Sequence, residues 1–144
     1  GTVYDYPLST LDLIPTFVSV AGGDPESLEE LDGVNMLPYL QGVNEQRPHP
    51  TLYWKMETRA AIRDGDWKLL RFPDRPAELF NLAADPGEQN NLAAAHPDKV
   101  KTLFRKLFAC ELELERPLFV LRRAEEGWSA RRTDEFRQPP SPSY

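Results

Sequence analysis

The chain of 144 residues holds a single cysteine, Cys110, so it cannot close an internal disulfide. That excludes a disulfide-stapled scaffold. Histidine is nearly as scarce: His49 and His96 stand far apart, with no His-Glu-x-x-His pair and no cysteine at zinc spacing. The 8 glycines form no phosphate-binding loop, and no Gly-x-Ser-x-Gly elbow is present for a serine hydrolase. Asp64 and Asp66 hint at a cation loop, but Trp67-Lys68-Leu69 follows where further oxygen ligands would be needed. No apolar run approaches the roughly 20 residues of a membrane-spanning helix. No basic-then-apolar segment opens the chain as a secretion signal would. Positive charge is in deficit, with 17 Lys+Arg against 23 Asp+Glu and a net charge of −6, which disfavours nucleic acid as a partner. What remains is a chain of single-domain length, 40% hydrophobic and 28% charged, a composition that folds.

Three kinds of segment follow along the chain. Residues 8–23 read as a short helix entered through Ser9, Thr10 or Asp12, with Asp12 as the cap that places Pro15 in the first turn. Gly22-Gly23 ends it. Its apolar residues, among them Leu11, Ile14, Phe17 and Val20, point in nearly every direction, so it calls for a large covering surface. Residues 24–50 are turn-rich, with one helical turn expected around Pro38.

From residue 51 the period changes to two. Leu52, Trp54 and Met56 alternate with Tyr53, Lys55 and Glu57, which predicts a half-buried strand. Asp64-Gly65 between two apolar runs predicts a hairpin, and Ala77–Leu82 supplies the last strand of a four-stranded antiparallel meander. A helix opening at His96-Pro97-Asp98 places Val100, Leu103, Phe104, Leu107 and Phe108 on one face and lysines and arginines on the other. Trp67 and Leu69 share the strand face expected to meet it. Glu111, Glu113 and Glu115 oppose the helix dipole, so the helix either stops near Cys110 or those carboxylates have partners elsewhere. Cys110 itself, followed by acidic residues, reads as an inert thiol.

The acidic pairs Glu29-Glu30 and Glu125-Glu126 read as solvated charge, and no constellation amounts to a complete active site. The order of motifs is nevertheless specific. Ser9, Asp12, Pro15, Thr16, Ala21 and Gly22 come first, then Asp32, Gly33, Leu37 and Gly42. Arg63, Gly65, Trp67, Lys68 and Leu69 follow, then Glu78, Leu79, Phe80, Asn81 and Leu82, and finally Asp85, Pro86, Glu88, Asn91 and Leu92. Over roughly residues 5–110 this succession resembles the C-terminal region of sulfatases, of the arylsulfatase family in the alkaline-phosphatase-like superfamily.

The resemblance implies an α+β arrangement. A four-stranded antiparallel sheet packs on a C-terminal amphipathic helix, and the preceding helix belongs to the α/β catalytic domain of a parent enzyme. Residues 1–46 are then the end of the catalytic domain, 47–116 the small subdomain and 117–144 an extension with a disordered end. The opening Gly1 reads as a cut in a longer chain. The resemblance further implies that the parent hydrolyses sulfuric esters with a formylglycine and a Ca²⁺ ion. Both would lie upstream, because Cys110 is followed by Leu112 and Leu114 instead of the proline and arginine of a modifiable motif. No catalytic or metal residue is therefore assigned here, and whether the chain is an enzyme by itself stays open. Candidates for contact with substrate at the rim of the cleft are His49, Lys55, Glu57 and Arg59. The expected partner is the catalytic domain of the same polypeptide, and the compartment is unassigned. Two alternatives stand beside this: the corresponding part of a phosphonate or phosphate-ester hydrolase, and a free-standing interaction module using the sheet face and the Trp128 tail.

Overall fold

The computed structural model describes residues 1, 3–29, 31–56 and 58–115. Glu57 and the expected extension 117–144 lie outside the described residues. The chain divides after Pro50 into two compact units.

In the first unit, the Ser9 hydroxyl accepts from the Leu11 amide, and the Asp12 carboxylate accepts from the Ser9 amide at 2.7 Å. This reciprocal capping box encloses a 3₁₀ turn, Thr10–Asp12, that runs into α1 (Leu13–Val20). Asp12 stands at the N-cap position of α1, as expected, but makes no side-chain cap bond to it, and Ser9 caps the 3₁₀ turn that precedes it. Pro15 still falls in the first turn of α1, where its missing N–H costs little. Gly22 ends the helix with φ at +80°, a conformation open to glycine. Pro15 and Thr16 are buried, whereas Ile14, Phe17 and Val20 are 54%, 61% and 65% exposed, an apolar stripe that the described residues of this unit leave uncovered. The helical turn expected around Pro38 is α2 (Leu37–Leu40).

The second unit is the meander: β1 (Thr51–Met56), β2 (Arg59–Asp64), β3 (Trp67–Arg71) and β4 (Glu78–Asn81), antiparallel in the order β1-β2-β3-β4. The register aligns Tyr53, Ile62, Leu69 and Leu79 across it. One face carries α3 (Pro97–Glu113), which begins on Pro97. Ala60, Ile62, Leu69, Leu79, Leu103 and Leu107 form the buried core, with Trp67, Val100 and Phe104 packed against it. Period two on the strands and period 3.6 on the helix thus meet at one seam, as the apolar pattern requires.

Two expectations need correction. The hairpin turn is centred on Gly65-Asp66, because Asp64 still pairs with Trp67, and Gly65 alone takes the positive φ, +61°. A first-position glycine is the signature of a type II′ hairpin. Gly65→Ala is expected to cost about 1 kcal/mol, read as a lower unfolding midpoint in urea. Second, β1 is not half-buried: it is an edge strand, with Trp54 50% and Met56 48% exposed, because nothing among the described residues covers its outer face. Of the two alternatives left open for α3, the second holds at Glu111: the helix runs past Cys110 to Glu113 despite its acidic end. Glu111 has partners that permit this, Arg71 at 2.7 Å and Lys55 at 3.3 Å.

The loop after β4 is held by its own side chains. Asp85 accepts from the amides of Asn90 and Gln89, which hold its carboxyl below the ordinary value. Asn91 Oδ1 accepts from the amides of Leu79 and Ala93, so one side chain joins β4 to the loop leading into α3. Asn91→Ala is expected to destabilise the second unit by about 1–3 kcal/mol, since Leu79 is buried and its amide loses its acceptor. Chemical denaturation of the two proteins side by side measures this.

Candidate functional site

Two places in the described structure concentrate polar chemistry. The first is centred on Asp12, which is fully buried. Its carboxylate accepts from the Ser9 amide, from the Val34 amide at 2.9 Å and from His49 Nε2 at 2.8 and 2.9 Å. One turn on, Thr16 Oγ1 donates to the Asp12 carbonyl at 2.6 Å and accepts from the Met36 amide at 2.9 Å. Asn35 Nδ2 donates to Ser19 Oγ. Together these bonds tie the start of α1 to residues 33–36 and to His49. Gly33 is where the two segments touch: a β-carbon there would lie 2.1 Å from the Leu11 carbonyl oxygen. Burial pushes the Asp12 carboxyl up, but the Ser9 and Val34 amides and the His49 ring together outweigh it and hold it below the usual carboxylate range. Buried and engaged through both oxygens, Asp12 fixes backbone geometry and presents no face to a substrate.

The second is a groove of about 420 Å³ on the sheet. It is lined by the apolar Trp54, Met56, Ala61, Leu70 and Phe72 and by the cations Lys55, Arg59 and Arg71. Of these, Lys55 and Arg71 share Glu111, whose carboxyl is held low first by the Arg71 hydrogen bond, then, against burial, by Lys55. At the far end of β2, Asp64 accepts from Thr51 Oγ1 at 2.8 Å and from Lys106 at 2.7 Å. These pairs staple α3 to β1, β2 and β3.

The candidate residues separate accordingly. His49 lies in the first unit as the partner of Asp12, while Lys55 and Arg59 lie in the second and share the groove. Glu57 is outside the described residues. Cys110 is pushed up by burial and by Glu113 and Glu111, which suits an inert thiol. Among the described residues, no three His, Cys, Asp or Glu side chains converge as a metal site would need. The donor set for a Ca²⁺ ion is thus not found among the described residues. The Asp12–His49 pair was not foreseen from the sequence. Its one local signal is the Ser9-x-x-Asp12 spacing, while 37 residues separate Asp12 from His49.

No protein-family profile matches the chain. A choline-sulfatase of Rhizobium meliloti (strain 1021) is 37% identical over 120 residues, which cover 76% of this chain and 23% of that protein. An arylsulfatase K of Xenopus laevis is 26% identical over 116 residues, covering 69% of this chain and 21% of the relative. The crystal structure of Ps i-CgsB in complex with k-i-k-neocarrahexaose superposes with a TM-score of 0.69 at 28% identity, over 91% of this chain and 30% of that one. The chain corresponds to the C-terminal region of a sulfatase. It spans about a fifth to a quarter of the length of the curated relatives it matches. A phosphonate monoester hydrolase of Agrobacterium radiobacter has the same fold here, with a TM-score of 0.56 at 23% identity over 76% of this chain and 26% of that one.

The sulfatase motifs now acquire physical roles. Asp12, Thr16 and Gly33 join the start of α1 to the Gly33–Met36 segment. Gly65 turns the hairpin, Trp67 and Leu69 pack on α3, and Asp85 and Asn91 bind backbone amides.

Proposed function

We propose that this chain is the C-terminal part of a sulfuric ester hydrolase, that it completes the fold of that enzyme, and that it carries no catalysis alone. The observation that carries the reading is the 37% identity to choline-sulfatase over 120 residues, aligned to about a quarter of that enzyme. It is supported by the local chemistry. The residues that match the family pattern hold backbone amides, turns and packing seams, which are jobs of a scaffold. The catalytic domain upstream is then the natural partner and the place for formylglycine and Ca²⁺. Residues 1–46 would close that domain, 47–116 form the small subdomain and 117–144 extend it.

Lys55 and Arg59, with Glu57 beside them in sequence, are proposed to face anionic substrate at the edge of the cleft. Their shared groove supports this. His49 is proposed to act on that edge only through Asp12, since its Nε2 is bound there.

The test is to sequence the source DNA upstream of the Gly1 codon and assay the complete product. An in-frame catalytic domain with Cys/Ser-x-Pro-x-Arg and hydrolysis of a sulfate ester is expected, with none from the 144-residue chain. An upstream domain with an unmodified threonine or serine nucleophile that cleaves phosphonate or phosphate esters would overturn it in favour of the phosphonate-hydrolase relative. A start codon beside residue 1 would leave the interaction module instead.

A further inference from the structure

The chain leaves the first unit through Arg47-Pro48-His49-Pro50. Backbone hydrogen bonds do little to hold this passage. Val43 and Asn44 donate their amides to the Pro38 carbonyl at 2.8 and 2.9 Å. Gln46 then donates only to the nearby Asn44 side chain, and Pro48 and Pro50 have no N–H to give. Side chains hold it instead. The Arg47 guanidinium lies over the Tyr6 ring, 5.0 Å from its centroid. Pro48 is buried, although Gln46 and Pro50 on either side of the segment are exposed. His49 Nε2 reaches both oxygens of Asp12, at 2.8 and 2.9 Å. With its pKa lowered, Asp12 is ionised near neutral pH and can only accept, so the hydrogen of this bond sits on Nε2. A neutral ring can keep that hydrogen, so the bond does not require a charged histidine. Beyond Pro50, Thr51 opens β1 and its Oγ1 donates to Asp64 at 2.8 Å. Pro50 alone separates these two anchors.

We propose that Arg47-Pro48-His49 is a strap latched to the first unit by the Asp12–His49 bond, and that this latch sets how much free chain joins the two units. Latched, the free chain is Pro50. Released, it is residues 45–50, which span up to about 20 Å when extended. The latch is built to open without unfolding what it rests on. Asp12 keeps the Ser9 and Val34 amides when the ring leaves. The His49 side chain is 12% exposed, so water can enter in its place. The two prolines favour the latched state, because their fixed φ leaves the released strap fewer conformations to gain. The strap also answers to one carboxylate. Asp12, which joins α1 to the Gly33–Met36 segment, is the acceptor that holds the junction as well. This inference is independent of the sulfatase reading.

The experiment is ¹⁵N relaxation on the full 144-residue chain and two variants. His49→Phe keeps a ring and removes the donor. His49→Gln brings an amide N–H to about the place of Nε2 and serves as the rescue. Order parameters of about 0.85 are expected at the Arg47 and His49 amides of the wild type. The same is expected at Arg47 and residue 49 in His49→Gln, and values below about 0.6 in His49→Phe. The Thr16 and Phe17 amides of α1 should stay rigid in all three proteins. A wild-type strap that is already flexible overturns the proposal. So does His49→Phe with a rigid strap, since Pro48 and Arg47 then suffice without the latch. Loss in His49→Gln as large as in His49→Phe overturns it too, because the donor is then not what holds. Unfolding of α1 in His49→Phe also overturns it, because the bond is then a support of the first unit and not a latch. If the chain does not fold alone, the same three proteins are compared within the longer natural protein, labelled over residues 45–56, with the same outcomes deciding.

Discussion

Replacing Asp12 by alanine is expected to destabilise the Gly1–Pro50 unit by about 3–5 kcal/mol. The substitution strands three donors at once: the amides of Ser9 and Val34 and the ring nitrogen of His49. Asp12 is fully buried, so water cannot replace the lost acceptor without opening the segment. Asp12→Asn keeps the shape and one acceptor and should lose less. The two variants also differ in their response to acid. Burial raises the Asp12 carboxyl, the amides and His49 lower it further, and the net position is below the ordinary value. Its contribution is therefore complete above the unfolded carboxylate pKa of about 4 and is lost as pH falls through the lower folded value. Thermal melts of the wild type between about pH 6 and 2 should show that acid loss, and Asp12→Asn should flatten it. An unchanged acid limb in the asparagine variant would show that other carboxylates govern it.

Gly33→Ala should be as damaging, for a purely steric reason. Its β-carbon would meet the carbonyl oxygen of Leu11 at 2.1 Å, the carbonyl carbon at 2.4 Å and the Asp12 amide nitrogen at 2.8 Å. All three are backbone atoms within the capped turn, so no rotamer change relieves the overlap. The two segments must separate, and the Val34–Asp12 and Met36–Thr16 hydrogen bonds go with the contact. A loss above about 3 kcal/mol, or failure to fold the first unit, is expected. Gly87→Ala is the internal control, because its β-carbon would find only ordinary contacts from 3.6 Å outward. Equal stability of the two variants in denaturant titrations would refute the steric argument.

These two predictions also mark where sequence reasoning stops. The meander and α3 are legible because their determinants are local and periodic. Tyr53, Ile62, Leu69 and Leu79 fall on one face by alternation, and Val100, Leu103, Phe104 and Leu107 by helical spacing. Asp64-Gly65 announces a hairpin, although the turn forms one residue later. Pro97 marks a helix start. The end of α3 was ambiguous because dipole repulsion at its acidic terminus could be judged only once Arg71 was seen to bond Glu111 across 40 residues. β1 reads as half-buried by its alternation, yet it lies at the sheet edge, and alternation carries no information on which strand ends up outermost.

The candidate site follows the same division. The element types, the helix-to-sheet seam and the succession of motifs that resembles the sulfatase C-terminal region are legible in the order of residues alone. Each of these depends on neighbours within a few residues or on a fixed order along the chain. Tertiary structure alone decided that Asp12 is a buried hub and not simply a cap, that His49 serves it, and that Lys55, Arg59 and Arg71 line one groove. Those facts arise from hydrogen bonds and packing between residues tens of positions apart. Such pairs leave no periodic trace, because each depends on where whole segments come to rest.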